Sequence, residues 1–128
     1  MTTSLKSAAR EGSRAAVLRV EWEHIARDLH ERGHAVARGV FAADVCADVR
    51  AWYARGDLFR SKVVMARHGF GQGEYQYFAY PLPPLIHEMR RELYEHLAPV
   101  ANAWGEQLGV ATRYPGDLDA FLKRCHAE

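Results

Sequence analysis

Seven histidines are the residues with the most obvious chemical promise in this chain. A mononuclear iron centre of the facial-triad kind needs two imidazoles and one carboxylate converging from one side, with positions left open for oxygen and a cosubstrate. Its usual local signature is His-x-Asp on a strand, with a second histidine far along the chain. None of His24, His30, His34, His68, His87, His96 or His126 is followed two residues later by aspartate. Only His126 has a carboxylate at that spacing, in Glu128. On a helix such a pair points apart, so a solvated helix end is the simpler reading. His24 and His30 do not share a helix face, and Gly33 interrupts the chain between His30 and His34. A zincin needs His-Glu-x-x-His, and His87-Glu88 lacks the second histidine. The expectation is therefore no metal site, with the histidines on or near the surface.

The second constellation is Gly69, Gly71, Gly73, Glu74, Tyr75 and Tyr77. Closely spaced glycines superficially resemble a phosphate cradle. However, no Gly-Lys-Ser/Thr ending and no Gly-x-Gly-x-x-Gly spacing is present. The better reading is the mobile tip of a β-hairpin, which could cover a substrate with Gly71, Gly73, Glu74, Tyr75 and Tyr77. Strand alternation puts Tyr75 and Tyr77 on one face and Phe78 and Tyr80 on the other. The tyrosine face is either plain sheet surface or a platform for bases, peptide rings or a small ligand. No Gly-x-Ser-x-Gly elbow occurs. Asp57, Asp117 and Asp119 have no partner that would make an acid/base pair, and read as cap and turn residues.

The elements that must position these residues follow from periodicity. Trp22, Ile25, Ala26 and Leu29 recur at helical spacing, and Gly33 supplies a left-handed cap. Residues 35–40 form a short apolar run and are expected as a strand. Val45, Cys46, Val49, Trp52 and Tyr53 predict a helix over 43–54, with Asp44 favouring its N-terminal dipole. Residues 61–67 and 74–80 read as strands joined by the glycine loop. Pro81, Pro83 and Pro84 open a long helix whose apolar stripe is Leu85, Met89, Leu93, Leu97, Val100, Ala101, Trp104 and Leu108, ending at Gly109. Pro99 should kink or split it. Leu118, Phe121, Leu122 and Cys125 begin a last amphipathic helix.

A chain of 128 residues suits one domain, and 48% apolar residues are enough for a core. Residues 1–19 read as a flexible polar leader, with a transit peptide as the alternative, and 20–128 as a single α+β region. Seventeen Lys and Arg against sixteen Asp and Glu argue against a dedicated nucleic-acid binder. No apolar run approaches the roughly 20 residues of a membrane span. Cys46 and Cys125 form no Cys-x-x-Cys pair and are expected as free thiols in a reducing cytoplasm. The last helix meets the end of the sequence without a glycine cap. The strands would also have edges without mates. Both features read as a fold that continues beyond Glu128.

Residues 33–41, followed by the helix over 43–53, are similar to the strand-then-helix entry of many 2-oxoglutarate oxygenases. The stretch 68–84, with 98–104 and 114–126, resembles a bacterial group of prolyl-hydroxylase-like oxygenases. The resemblance covers about 33–128. It implies helices packed on a few short antiparallel strands, the incomplete N-terminal portion of a double-stranded β-helix (jelly-roll) fold. It further implies that a longer relative would use Fe(II) and 2-oxoglutarate in a barrel that follows this region, whereas this chain holds neither cofactor and is inactive alone. The expected partners are a protein or peptide substrate, or the missing barrel, and not nucleic acid or membrane. A non-enzymatic interaction module is the alternative.

Overall fold

In the computed structural model, residues 19–127 are described. The expected leader and Glu128 lie outside the described residues, apart from Arg19 at the leader's end. Helix α1 spans Trp22–Arg32 and α2 spans Ala43–Ala51. Strands β1, Phe59–Val64, and β2, Glu74–Phe78, form a two-stranded antiparallel sheet. Helix α3 is Pro84–Gln107 and α4 is Leu118–His126. The architecture is mixed: helices beside one antiparallel hairpin. Among the described residues, no helix is long and apolar enough to cross a membrane.

Glycine caps close two of the helices. Gly33 adopts φ 74° and its N–H donates to the Leu29 carbonyl, which ends α1. After α3, Gly109 takes φ 69° and donates to Glu106, while Val110 donates to Gly105 at 2.8 Å. These are the two bonds of a Schellman motif.

Residues 35–40 are not a strand. A strand needs a neighbour, and among the described residues β1 and β2 pair only with each other. Gly39 at φ 66° also breaks the extended run. The segment instead lies along the start of α1, forming a shallow cleft of about 300 Å³ with Val20, His24 and Ile25. The second expected helix shortens in the same way: α2 stops at Ala51 and tightens into a 3₁₀ turn over Trp52–Ala54.

Helix α3 is not split at Pro99. Pro99 has no N–H to give the Glu95 carbonyl. Both residues are exposed, so water can serve that carbonyl at little cost. The stripe assigned to α3 is also rotated. Leu97 is 39% exposed and Leu108 78% exposed, while Ala98 is the buried position. The contacts explain the rotation. On one side His96 stacks on Trp22 at 4.2 Å and Trp104 donates to His30 Nδ1 at 3.2 Å, which seats α1. On the other side Tyr94 and Asn102 receive the returning chain and α4.

That returning chain is well tied. The Asn102 amide exchanges two hydrogen bonds with the Tyr114 backbone, and the Tyr94 hydroxyl donates to the Pro115 carbonyl at 2.8 Å. Asp117 caps α4 by accepting from Ala120 N–H at 2.8 Å. Phe121 stacks on Tyr94 at 5.4 Å. Ala98 and Leu118, at 5% and 6% exposure, are the buried apolar residues among those described. A buried leucine of this kind contributes about 1.5–3 kcal/mol. The hydrophobic core is therefore small and sits between α3 and α4.

Candidate substrate-facing hairpin

The hairpin is built by pairing Ser61 with Tyr77, Lys62 with Gln76, Val63 with Tyr75 and Val64 with Glu74. Because side chains alternate, the sheet has two unlike faces. Lys62, Val64, Glu74 and Gln76 share one; Ser61, Val63, Tyr75 and Tyr77 share the other.

The first face is the anchor. Glu74 Oε1 accepts from Lys62 Nζ at 2.7 Å and from the Tyr53 hydroxyl at 3.0 Å. Gln76 Nε2 donates to the Tyr53 carbonyl at 2.9 Å. Trp52 meets Phe78 edge to face, and Phe78 stacks on Phe59 at 4.9 Å. The ammonium of Lys62, then the Tyr53 hydroxyl, holds the Glu74 carboxyl below its ordinary range. The same bond to Glu74 raises Lys62. Partial burial, reinforced by Glu74, raises Tyr53. Glu74 is thus a structural carboxylate that ties the hairpin to the end of α2.

The second face is open. Tyr75 and Tyr77 are 41% and 48% exposed, and their rings meet edge to face at 5.5 Å. The contact with Tyr77 raises the Tyr75 phenol. The register breaks between Phe59 and Ser61, which frees Arg60 from the regular alternation. Its guanidinium lies 5.6 Å from the Tyr77 ring centroid and 5.9 Å from that of Tyr80. Tyr80, 65% exposed, lies beyond the end of β2 and accepts a hydrogen bond from Arg90 at 3.1 Å. So Tyr80 joins Tyr77 through Arg60 instead of sitting with Phe78 on the opposite face.

Of the five residues expected to cover a substrate, Tyr75 and Tyr77 come together on the open face, and Glu74 is turned to the anchor. Gly71 and Gly73 lie in the connecting loop at φ 99° and 115°, conformations that disfavour any other residue. The loop is fixed at its base by Met65 N–H to the Gly73 carbonyl at 3.0 Å, and its Phe70 is 70% exposed. Arg60 and Arg90 were not evident in the sequence. The bulge that aims Arg60 and the helix that brings Arg90 to Tyr80 leave no local pattern.

Among the described residues, no three His, Cys, Asp or Glu side chains converge on a point that could hold a metal ion. His24 comes nearest, with Nε2 3.4 Å from the buried Asp28. Arg27, which only donates, occupies its Nδ1 at 2.7 Å. His34 Nδ1 contacts the Arg32 carbonyl at 3.2 Å and His68 stacks on Phe70. His87 and His126 are exposed. The described residues do not bring together the donors of an iron centre. Cys46 and Cys125 are free and exposed. Cys46 lies at an apolar cleft of about 320 Å³ between α2 and α3, with Phe41, Val45, Val49, Leu85 and Met89.

Residues 73–128 match the model of a family described as an oxygenase catalysing oxidative methylation of damaged DNA. That stretch begins at β2 and includes α3 and α4, hence both buried core residues. Two uncharacterized proteins from two strains of Mycobacterium tuberculosis are each 38% identical to this chain over 50 residues. Those residues make up 39% of this chain and 22% of each relative, so the match spans about a fifth of the relatives' length. No solved structure matches. The family match supports an oxygenase-type relationship for this part of the chain.

Proposed function

We propose that this chain is the supporting and substrate-facing portion of an Fe(II)/2-oxoglutarate-dependent oxygenase of the hydroxylase type. Its iron ligands would come from a catalytic barrel outside residues 19–127. The family similarity over 73–128 carries the oxygenase part of the reading. The absence of converging ligands among the described residues carries the division of labour. Facial-triad chemistry needs all its ligands on one scaffold with open positions. The helices here offer other things: the α2–α3 cleft exposes apolar surface that a barrel sheet could cover, and the hairpin turns aromatic residues outward.

A non-enzymatic module is less well supported, because the oxygenase similarity covers the best-packed part of the chain. The matched family's description names damaged DNA as what its members act on; a nucleic-acid substrate for this chain is a proposal that rests on that similarity.

The reading is tested by succinate release. The chain with Fe(II), 2-oxoglutarate and ascorbate should give no succinate above the protein-free rate. A polypeptide of the matched family carrying His-x-Asp, the distal histidine and the 2-oxoglutarate-binding basic residue, but lacking the region equivalent to 73–128, should gain turnover as this chain is added, saturating near equimolar. No stimulation at any ratio would contradict the proposal.

A further inference from the structure

We infer that α1 is fastened to α3 by a pH-sensitive clasp: protonation of His30 releases Trp104 and frees the C-terminal end of α1, while the Trp22–His96 stack holds its N-terminal end. This goes beyond the oxygenase reading and does not depend on it.

The two helices exchange histidine–tryptophan pairs. Trp22 of α1 stacks on His96 of α3, with ring centroids 4.2 Å apart and planes within 6° of parallel. Near the other end of α1, Trp104 of α3 donates its indole N–H to His30 Nδ1 at 3.2 Å, and the two rings meet edge to face. Little else fixes that end. The buried residue of α1 is Asp28, which pairs with His24 and Arg32 of its own helix. Ile25, Ala26 and Leu29 are half-buried. Among the described residues, no hydrogen bond ties residues 34–41 to another element.

The two pairs answer a proton in opposite ways. An indole N–H only donates, so His30 must offer it a bare ring nitrogen. An imidazolium has none: both nitrogens carry hydrogen, and two donors would face each other. A stacked imidazolium, by contrast, stays favourable on an indole, the ring that best accommodates a cation. Histidine is the side chain whose charge ordinarily changes between about pH 5 and pH 8. Acidification therefore opens the His30 end and leaves the His96 end closed, so α1 pivots about Trp22.

The neighbouring charges leave His30 as the switching group. One turn either side of it on α1 stand Arg27 and His34, which are engaged with His24 and with the Arg32 carbonyl. One turn either side of Trp104 on α3 are Val100, Ala101, Gln107 and Leu108, all uncharged. At the stack, Glu92 precedes His96 by one turn, and Arg19 precedes Trp22. Arg38, from the segment after α1, lines the cleft at the start of that helix, which His30 does not line.

The test is two-dimensional NMR of the full isotope-labelled chain, following the indole N–H signals of Trp22, Trp52 and Trp104 from about pH 8 to pH 5, together with amide protection along α1. The Glu74 anchor holds across this range, so the hairpin does not contribute. The Trp104 signal should move as pH falls. Protection of the amides near Gly33 should drop by about 2- to 10-fold, the scale of one hydrogen bond. Proton–proton contacts between Trp22 and His96 should persist, and Trp52, packed on Phe78, should not respond. His30→Gln, whose amide oxygen accepts without titrating, should abolish the Trp104 response. His96→Phe keeps a stacked ring and should leave that response intact. Circular dichroism confirms that each variant is folded. The inference is overturned by a Trp104 signal that stays still over the whole range, by a movement that survives in folded His30→Gln, or by loss of the Trp22–His96 contacts together with the Trp104 bond.

Discussion

Asn102 and Tyr114 are joined as two strands would be. The Tyr114 N–H donates to Asn102 Oδ1 at 2.7 Å, and Asn102 Nδ2 donates to the Tyr114 carbonyl at 3.0 Å. One side chain thereby satisfies both polar groups of an irregular backbone segment and holds it against α3. Asn102→Ala should destabilise the chain by about 1–2 kcal/mol, two partly solvated hydrogen bonds. Asn102→Asp should cost at least as much, because its carboxylate faces the Tyr114 carbonyl without a donor. Urea unfolding monitored by tryptophan fluorescence reads both. An unchanged midpoint in both variants would contradict the role given to this pair.

The core between α3 and α4 predicts a sharp contrast among leucines. Leu118→Ala should cost about 2–3 kcal/mol, at the low end for a buried leucine because the core is small. Leu108→Ala, at a 78% exposed position, should be near neutral. Ala98→Leu should overpack the buried position on α3 and cost about 1–3 kcal/mol. The sequence stripe ranked Leu108 inside and left Ala98 out, so equal losses at Leu108 and Leu118 would restore the sequence reading.

The Glu74 anchor sets a pH dependence for the hairpin. The folded carboxyl titrates below its ordinary range because of Lys62 and then Tyr53, so its contribution is present above the unfolded value and lost as pH falls through the folded one. Lys62 is raised by Glu74, and Tyr53 by partial burial and Glu74. Their contributions are complete below their unfolded values and lost as pH rises through the folded ones. The hairpin should hold firm between about pH 5 and pH 10 and loosen outside that window. NMR shifts of the Gln76 side-chain amide, which is bonded to the Tyr53 carbonyl, would report it. Glu74→Gln should remove the acid limb; an acid limb that survives would show that another group controls it.

Both thiols should be accessible. Cys46 and Cys125 are exposed, so each should react with a disulfide reagent in the folded chain at rates close to those of free thiols. A thiol that reacts only in denaturant would show that its surface is covered in solution. For Cys46, that surface would be the α2–α3 cleft.

The sequence disclosed the helices better than the sheet, for physical reasons. Gly33 and Gly109 fix helix ends because a left-handed cap is a local event, and Asp117 is a cap for the same reason. The glycine loop announced the hairpin because its backbone needs positive φ. Residues 35–40 looked like a strand, yet strand formation depends on a partner elsewhere in the chain, and none is present among the described residues. Pro99 stayed within α3 because the Glu95 carbonyl that it leaves without a donor lies on an exposed stretch of the helix, which depends on tertiary packing. The candidate site was half legible. Alternation placed Tyr75 and Tyr77 together. Tyr80, Arg60 and Arg90 joined them only through a register break and a helix crossing.

In the division of labour proposed above, this polypeptide does not itself hold the iron. The decisive measurement is anaerobic loading with Fe(II), and separately with Co(II) as a spectroscopic probe, followed by exhaustive dialysis and metal analysis. Metal content well below one ion per chain and no ligand-field absorption are predicted. One tightly held ion per chain, lost on substitution of the chain's own histidines, would contradict it.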